Sequence, residues 1–277
     1  MMRADLHIHT YYSDGLQSPE DVVRAAKANG VNIISVTDHD NALGRNEVKK
    51  LAVGAGICAV DGIEISAYEG DLKVHTLGYN LDFDCPAFVA FYKKCLEASE
   101  ERVADIIKKL NRGGISIDFN EVLAERRDKS SPLHTMLISY VAVKKGFSTN
   151  PHDFYYKYLG YGKIGYSNIG RPTPEEAVEV IKSSGGISSV AHPGRIFAGR
   201  DEILKLIYKL KDIGLDGIEG VYSEHTVIQT QYYKELADKL GLLITGGSDT
   251  HFKTGSHVIG TPEFHPDEKL LSALKLI

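Results

Sequence analysis

The chain has 277 residues, long for one ordinary domain but normal for a single barrel of alternating strands and helices. With 43% hydrophobic and 25% charged residues, neither a disordered nor a fibrous class fits, and a net charge of -5 without a long basic run excludes tight non-specific binding to duplex DNA. Cys58, Cys85 and Cys95 are odd in number and lack C-x-x-C spacing, which argues against a disulfide framework or thiolate zinc site and fits a reducing cytoplasm.

No apolar stretch after Met1 is long enough for a signal peptide or membrane span. Asp5-Leu6-His7-Ile8-His9 reads as a first strand. Ser18 caps a helix with Pro19 in its first turn and Gly30 at its end, followed by a buried strand over 31–36. Asn46 to Ala52 reads as a helix, Ile57 to Val60 as a strand continuing through Gly62 towards Glu64, and Val74 to Leu77 as another strand. The βα pattern returns with a helix capped by Thr173-Pro174 and running to Ser184, a strand over 187–190, and a helix over 201–213. A strand over 215–219, a helix over 227–240 and a strand from Leu242 complete it. Repeated βα units imply a parallel sheet, closed as a barrel because candidate ligands follow almost every strand. A loop from Thr254 and a short helix end the chain.

Between Pro86 and Ser167 the strand signal disappears. Phe88, Phe91, Tyr92, Cys95, Leu96, Val103, Ile106, Ile107 and Leu110 form one long amphipathic helical pattern stopped by Gly113-Gly114, and shorter helices are expected over 120–126, 134–145 and 151–158. The expected organisation is a barrel from 1–85 and 168–277, with a helical insertion over 86–167 covering its mouth.

The chemistry-bearing residues fall in five clusters: His7 and His9 with Asp14; His39 between Asp38 and Asp40; Glu64 with His75; His192; and Asp249 with His251. His7 and His9, two apart on a strand, point the same way and can reach one cation, and Asp249 and His251 repeat that spacing. Imidazole and carboxylate together suit zinc, manganese and iron. Taken singly, several have ordinary readings: Asp14 as a turn residue, His192 as a satisfied core histidine, and His152, His257 and His265 as surface residues. His39 between Asp38 and Asp40 has two readings, a surface residue or a ligand whose tautomer those carboxylates fix.

Asp-Leu-His-Ile-His-Thr with Ser-Asp-Gly, Thr-Asp-His-Asp, Gly-Ile-Glu, His75, Ala-His-Pro and Gly-Ser-Asp-Thr-His resemble, in order, the motifs of the polymerase and histidinol phosphatase (PHP) superfamily of metal-dependent phosphoesterases. The resemblance covers 2–82 and 170–262 and extends more weakly through the insertion, in the manner of the bacterial subgroup that cleaves nucleotide phosphates. It implies a distorted seven-stranded β/α barrel with two or three divalent ions, Mn, Zn or Fe. One would take His7, His9, Glu64 and Asp249; a second would share Glu64 and add His75 and His192; a third would take Asp14, His39 and His251. Glu64, Asp249 and His192 would carry catalysis through a metal-bridged hydroxide, with cations about 3.5 Å apart neutralising phosphate oxygens.

Similar proteins carry an Arg-Pro-His element followed three residues later by a second Arg. Here His134 survives and Leu137 stands at the place of that Arg, so the phosphate grip must come partly from elsewhere. Arg171, Arg195, Lys163 and Arg200 are candidates, and His225 matches a mouth-proximal histidine of related proteins. The expected function is hydrolysis of a phosphate ester of a small metabolite, nucleotide or short single-stranded oligonucleotide. Histidinol-phosphate hydrolysis is an alternative, and a catalytically inert metal-binding module is an alternative of another class.

Overall fold

The computed structural model describes residues 2–251 and 257–277. Two compact units are present: Met1–Val89 with Pro172–Ile277, and Ala90–Arg171. The loop expected from Thr254 begins outside the described residues.

In the first unit, seven strands form one sheet in sequence order. β1 (Ala4–Ile8) is buried on both faces and leads to α1 (Pro19–Ala28). Ser18 Oγ accepts from Asp21 N while Asp21 returns a bond to the Ser18 amide, a capping box that fixes where this helix starts. β2 (Ile33–Val36), α2 (Arg45–Ala55) and β3 (Cys58–Glu69) follow, with β1, β2 and β3 parallel. β4 (Leu72–Tyr79) departs from the all-parallel expectation: it runs antiparallel to both β3 and β5 (Ile187–Val190). The cause is local. Glu69 pairs with Leu72, leaving only Gly70-Asp71 as the loop, and Gly70 takes the positive φ of 60° that such a tight hairpin requires.

α3 (Pro86–Arg112) crosses from the first unit into the second. The second unit continues with α4 (Phe119–Glu125), α5 (Met136–Lys144), α6 (Pro151–Phe154) and a π-helical turn over Tyr155–Leu159. Its core is the apolar stripe of α3 (Val103, Ile106, Ile107, Leu110) closed by Ile117, Val122, Ile138, Val141 and Phe154.

The barrel resumes at α7 (Pro174–Ser183), whose Thr173–Glu176 capping box repeats the α1 device. After β5 come α8 (Arg200–Ile213), β6 (Gly217–Tyr222), α9 (Val227–Leu240), β7 (Leu243–Gly247) and, last, α10 (Glu268–Ala273). β5, β6 and β7 are parallel. The sheet curls until β7 meets β1, where Asp249 N donates to His7 O at 2.8 Å and His9 N to Thr250 O at 3.1 Å. Seven strands thus form a nearly closed barrel. Val22, Val23 and Ala26 of α1 pack on Ile8, Ile34 and Val36, while Ile207, Leu210 and Leu236 of α8 and α9 pack on Val190 and Ile218.

Candidate metal centre

The closed sheet brings side chains from residue 7 to residue 251 to one end of the barrel. His7 belongs to β1 and His9 follows it, with their ring planes 5.2 Å apart between centroids. His39 comes just beyond β2, while Asp249 and His251 come just beyond β7. Glu64 sits within β3, not at its end, because the strand runs on to Glu69. β4 delivers His75 to the same place by pairing it with Ser66, two residues from Glu64 on the same face. His192 follows β5 at the head of a 3-10 turn, Pro193–Arg195.

Glu64 is the hub. Its Oε1 lies 2.7 Å from His75 Nδ1 and 3.1 Å from His192 Nε2; its Oε2 lies 3.3, 3.1 and 2.9 Å from His7 Nε2, His9 Nε2 and His39 Nδ1. Five imidazoles therefore surround one fully buried carboxylate. Among the described residues three groups of donor atoms converge: His7, His9, Glu64 and Asp249; His39, Glu64 and His75; and His9, Asp14, His39 and His251, the atoms within each lying no more than 4.8 Å apart. The first is the set that family resemblance assigns to one ion. In the second, His39 stands in the group where resemblance puts His192, which reaches Glu64 from the other side.

The donor set fits a divalent cation. His7 Nε2 and His9 Nε2 face each other at 3.1 Å, and Asp249 Oδ1 is 3.4 and 3.1 Å from them. A tetrahedral ion with ligands at about 2.0–2.1 Å spaces those ligands by roughly 3.3–3.4 Å, close to the distances found. Glu64 Oε2 is buried with the nitrogens of His7, His9 and His39 within 3.3 Å, so a cation placed among them would meet one carboxylate oxygen and several imidazoles at once. Burial disfavours charge on Glu64 and Asp249, yet the neighbouring imidazoles outweigh it and hold both carboxyls well below their usual range. Burial of His9 likewise favours the neutral ring, but Asp249 and Glu64 raise it to about 10. The folded site thus favours positive charge, which a divalent cation held by these residues would supply in place of protons.

Backbone strain marks the same residues. Asp249 (φ 51°) and His192 (φ 28°) are among the few non-glycine residues with positive φ, a conformation retained where surrounding structure enforces it. Gly247 is required by closeness: a Cβ there would lie 2.5 Å from His7 Cβ and N.

The other expected residues are divided between the two units. His134, Lys163 and Arg171 belong to the helical unit, where Lys163 is exposed and His134 Nδ1 accepts from Met136 N at 3.3 Å. In the barrel unit, Arg195 pairs with Glu224 at 2.5 Å, and Arg200 stacks on Tyr232 at 4.0 Å. His225 engages backbone through both ring nitrogens, Gly194 N at 3.1 Å and Gly220 O at 3.3 Å. His257 is only partly exposed, bonding Ser223 Oγ at 2.9 Å and Ser248 O at 3.0 Å. Asp38, expected beside His39 as its partner, instead holds the turn after β1, accepting from Thr10 N, Thr10 Oγ1 and Ser13 Oγ at 2.7 Å each. Asp40 Oδ1 accepts from Ser66 N at 2.8 Å.

Three residues around the centre were not singled out in the sequence. Asp5 accepts from Ser248 N at 2.9 Å and Gly260 N at 2.7 Å, and Tyr222 Oη donates to Asp249 Oδ2 at 3.0 Å. Glu219 contacts both His7 and His192. A signal for it existed: Gly217-Ile218-Glu219 repeats Gly62-Ile63-Glu64, placing a carboxylate inward on a second strand.

Fold and site together define a hydrolase built as a β/α barrel around a cluster suited to divalent metals. The chain belongs to the PHP domain family, whose pattern matches residues 5–252. It is similar to a 5'-3' exoribonuclease of Haemophilus influenzae, 32% identical over 91% of this chain and 90% of the relative. It is also similar to a 3',5'-nucleoside bisphosphate phosphatase of Chromobacterium violaceum, 32% identical over 91% and 88% respectively. A phosphoribosyl 1,2-cyclic phosphate 1,2-diphosphodiesterase of Eggerthella lenta is 31% identical over 92% and 96%. Among solved structures, an amidohydrolase from Chromobacterium violaceum with bound sulfate and no metal superposes with a TM-score of 0.86 at 29% identity, covering 99% of this chain and 96% of that one.

Proposed function

We propose that this chain hydrolyses a phosphate ester carried on the ribose of a nucleotide or of a short RNA end, using two or three divalent ions held by the nine residues His7, His9, Asp14, His39, Glu64, His75, His192, Asp249 and His251. The single observation that carries the reading is Glu64, one carboxylate within 3.3 Å of five imidazole nitrogens, an arrangement suited to bridging cations. When bound, such cations lower the pKa of a coordinated water and offset the charge of phosphate oxygens. The protein's own groups then bind and orient. Glu64, Asp249 and His192 are the residues assigned to catalysis, and Tyr222 holds Oδ2 of Asp249 so that Oδ1 faces His7 and His9.

The substrate class rests on the relatives' names, all of which describe phosphates of ribose-containing molecules. His134, Lys163, Arg171, Arg195 and His225 remain the candidates for gripping the substrate. Arg195 is already charge-paired with Glu224, so it would have to exchange partners to do so.

The test is phosphate release with manganese supplied, across 3',5'-nucleoside bisphosphates, nucleoside monophosphates, short 5'-phosphorylated RNA and histidinol phosphate. Nucleotide or RNA substrates should be cleaved best, and chelation should abolish release until manganese is restored. Release from histidinol phosphate alone would replace this reading with its alternative. Tight metal binding without hydrolysis of any substrate would identify an inert module.

A further inference from the structure

We propose that Glu219, which belongs to none of the converging donor groups, is a positioning residue for the metal centre: one buried carboxylate sets both the ring of His7 and the backbone of His192. This inference rests on the metal-centre reading above. Glu219 lies on β6 and is fully buried. Its Oε1 stands 2.9 Å from His7 Nδ1, and its Oε2 accepts from His192 N at 2.6 Å.

Each bond has a consequence for a ligand. An ionised carboxylate can only accept, so His7 Nδ1 must carry the donated proton. The lone pair of Nε2 is then left for a cation held among Nε2, Glu64 Oε2 and Asp249 Oδ1, the two oxygens lying 3.3 and 3.4 Å from the nitrogen. At the other end, His192 has φ 28° and ψ 57°, outside the conformations that a histidine favours. The short bond from its amide to Glu219 offsets that strain, and Gly194 N, donating to His225 Nε2, secures the turn from its far side. Ligands arriving from β1 and from the end of β5 are thus registered to each other through a residue of β6. A carboxylate serving only the strand would not be needed: β6 pairs with β5 and β7 through its backbone.

Glu219→Gln isolates this role because the amide has nearly the same shape but only one accepting oxygen. It can satisfy His7 Nδ1 or His192 N, and its NH2 must then face the other donor. Mn2+ binding by calorimetry, together with 15N spectra of the histidines in Zn2+-loaded protein, reads the effect. The wild type should show His7 as the Nδ1–H tautomer, and Glu219→Gln should bind Mn2+ about 10–100-fold more weakly with that tautomer population lost. A merely structural role would lower the unfolding temperature while leaving affinity and tautomer unchanged, which overturns the proposal. Should the variant fail to fold, an Nε2–H tautomer for His7 in wild-type protein overturns it without any substitution. Wild-type protein that takes up no Mn2+ brings down the metal-centre reading itself, and normal uptake in wild type and variant alike brings down the positioning role alone.

Discussion

The two units of the chain spend burial in opposite ways. At the ligand end of the barrel the interior is polar: Asp5, His7, His9, Asp38, Glu64, His75, Glu219 and Asp249 crowd together, each held by directional bonds or ion pairs. The core of the helical unit is mainly apolar, with Val103, Ile106, Leu110, Ile117, Val122 and Phe154 packed together, while the buried Arg102 in that unit donates to Ile169 O at 2.9 Å. Burying charge is unfavourable unless it is compensated, whereas burying aliphatic surface is favourable by itself. The barrel end is therefore arranged for chemistry at a cost in stability, and the helical core is arranged for stability. Substitutions in the two regions should fail in different ways.

The largest effect is expected at Asp249. Asp249→Asn keeps a side chain that tolerates the positive φ of this position and removes the negative charge facing His7 and His9. Turnover on a nucleotide substrate should fall about 1000-fold, equivalent to about 4 kcal/mol of lost transition-state stabilisation. The far-ultraviolet circular dichroism should stay that of the wild type. Wild-type turnover in a fully metal-loaded variant would remove Asp249 from the catalytic assignment.

That the convergence of candidate ligands was legible in the sequence while the direction of β4 was not has a physical basis. His7 and His9, or Asp249 and His251, announce themselves because period-two spacing on a strand fixes which side chains converge. The capping boxes at Ser18 and Thr173 likewise sit within four residues, so the helix starts were local facts. β4 was different: its direction depends on a two-residue loop at Gly70-Asp71, and reading the chain as repeated βα units overrode that short signal. The role of Asp38 was not legible because adjacency to His39 in sequence says nothing about which groups its carboxylate meets, and it accepts from Thr10 and Ser13 of the turn after another strand. Glu219 depends on a partner 212 residues away, a relation that only the closed sheet creates. His134, Lys163 and Arg171, proposed to grip phosphate, fall in the helical unit, outside the barrel motifs that made the candidate ligands legible.

In the helical core the expected loss is of stability. Leu110 is fully buried on α3 among Val103, Ile106 and Ile107, and Leu110→Ala should cost about 3 kcal/mol from lost burial and the cavity left behind. Denaturant unfolding followed alongside metal content separates the regions. The helical unit should unfold earlier while bound manganese is retained through that first transition. Simultaneous loss of both would show that the two units unfold as one cooperative body, and the contrast between them would then be one of composition alone.

The smallest expected effect sharpens the comparison because it removes neither a ligand nor a core side chain. α4 has only 7 residues, too short to persist without help at its ends. Asp118 supplies that help: its Oδ1 accepts from Asn120 N at 2.8 Å, and Glu121 Oε2 accepts from Asp118 N at 2.9 Å. Asp118→Ala removes the first bond and leaves the second, so it should cost about 1 kcal/mol. Asp118→Asn keeps an accepting oxygen and should recover most of the loss, because the cap works through the hydrogen bond more than through charge. Hydrogen exchange at the Asn120 amide is the direct readout: faster in Asp118→Ala, nearly normal in Asp118→Asn. Equal acceleration in both would mean that the negative charge at the helix N-terminus carries the stabilisation. Hydrolysis of small phosphate esters should be the same in both variants, since no barrel ligand depends on this cap.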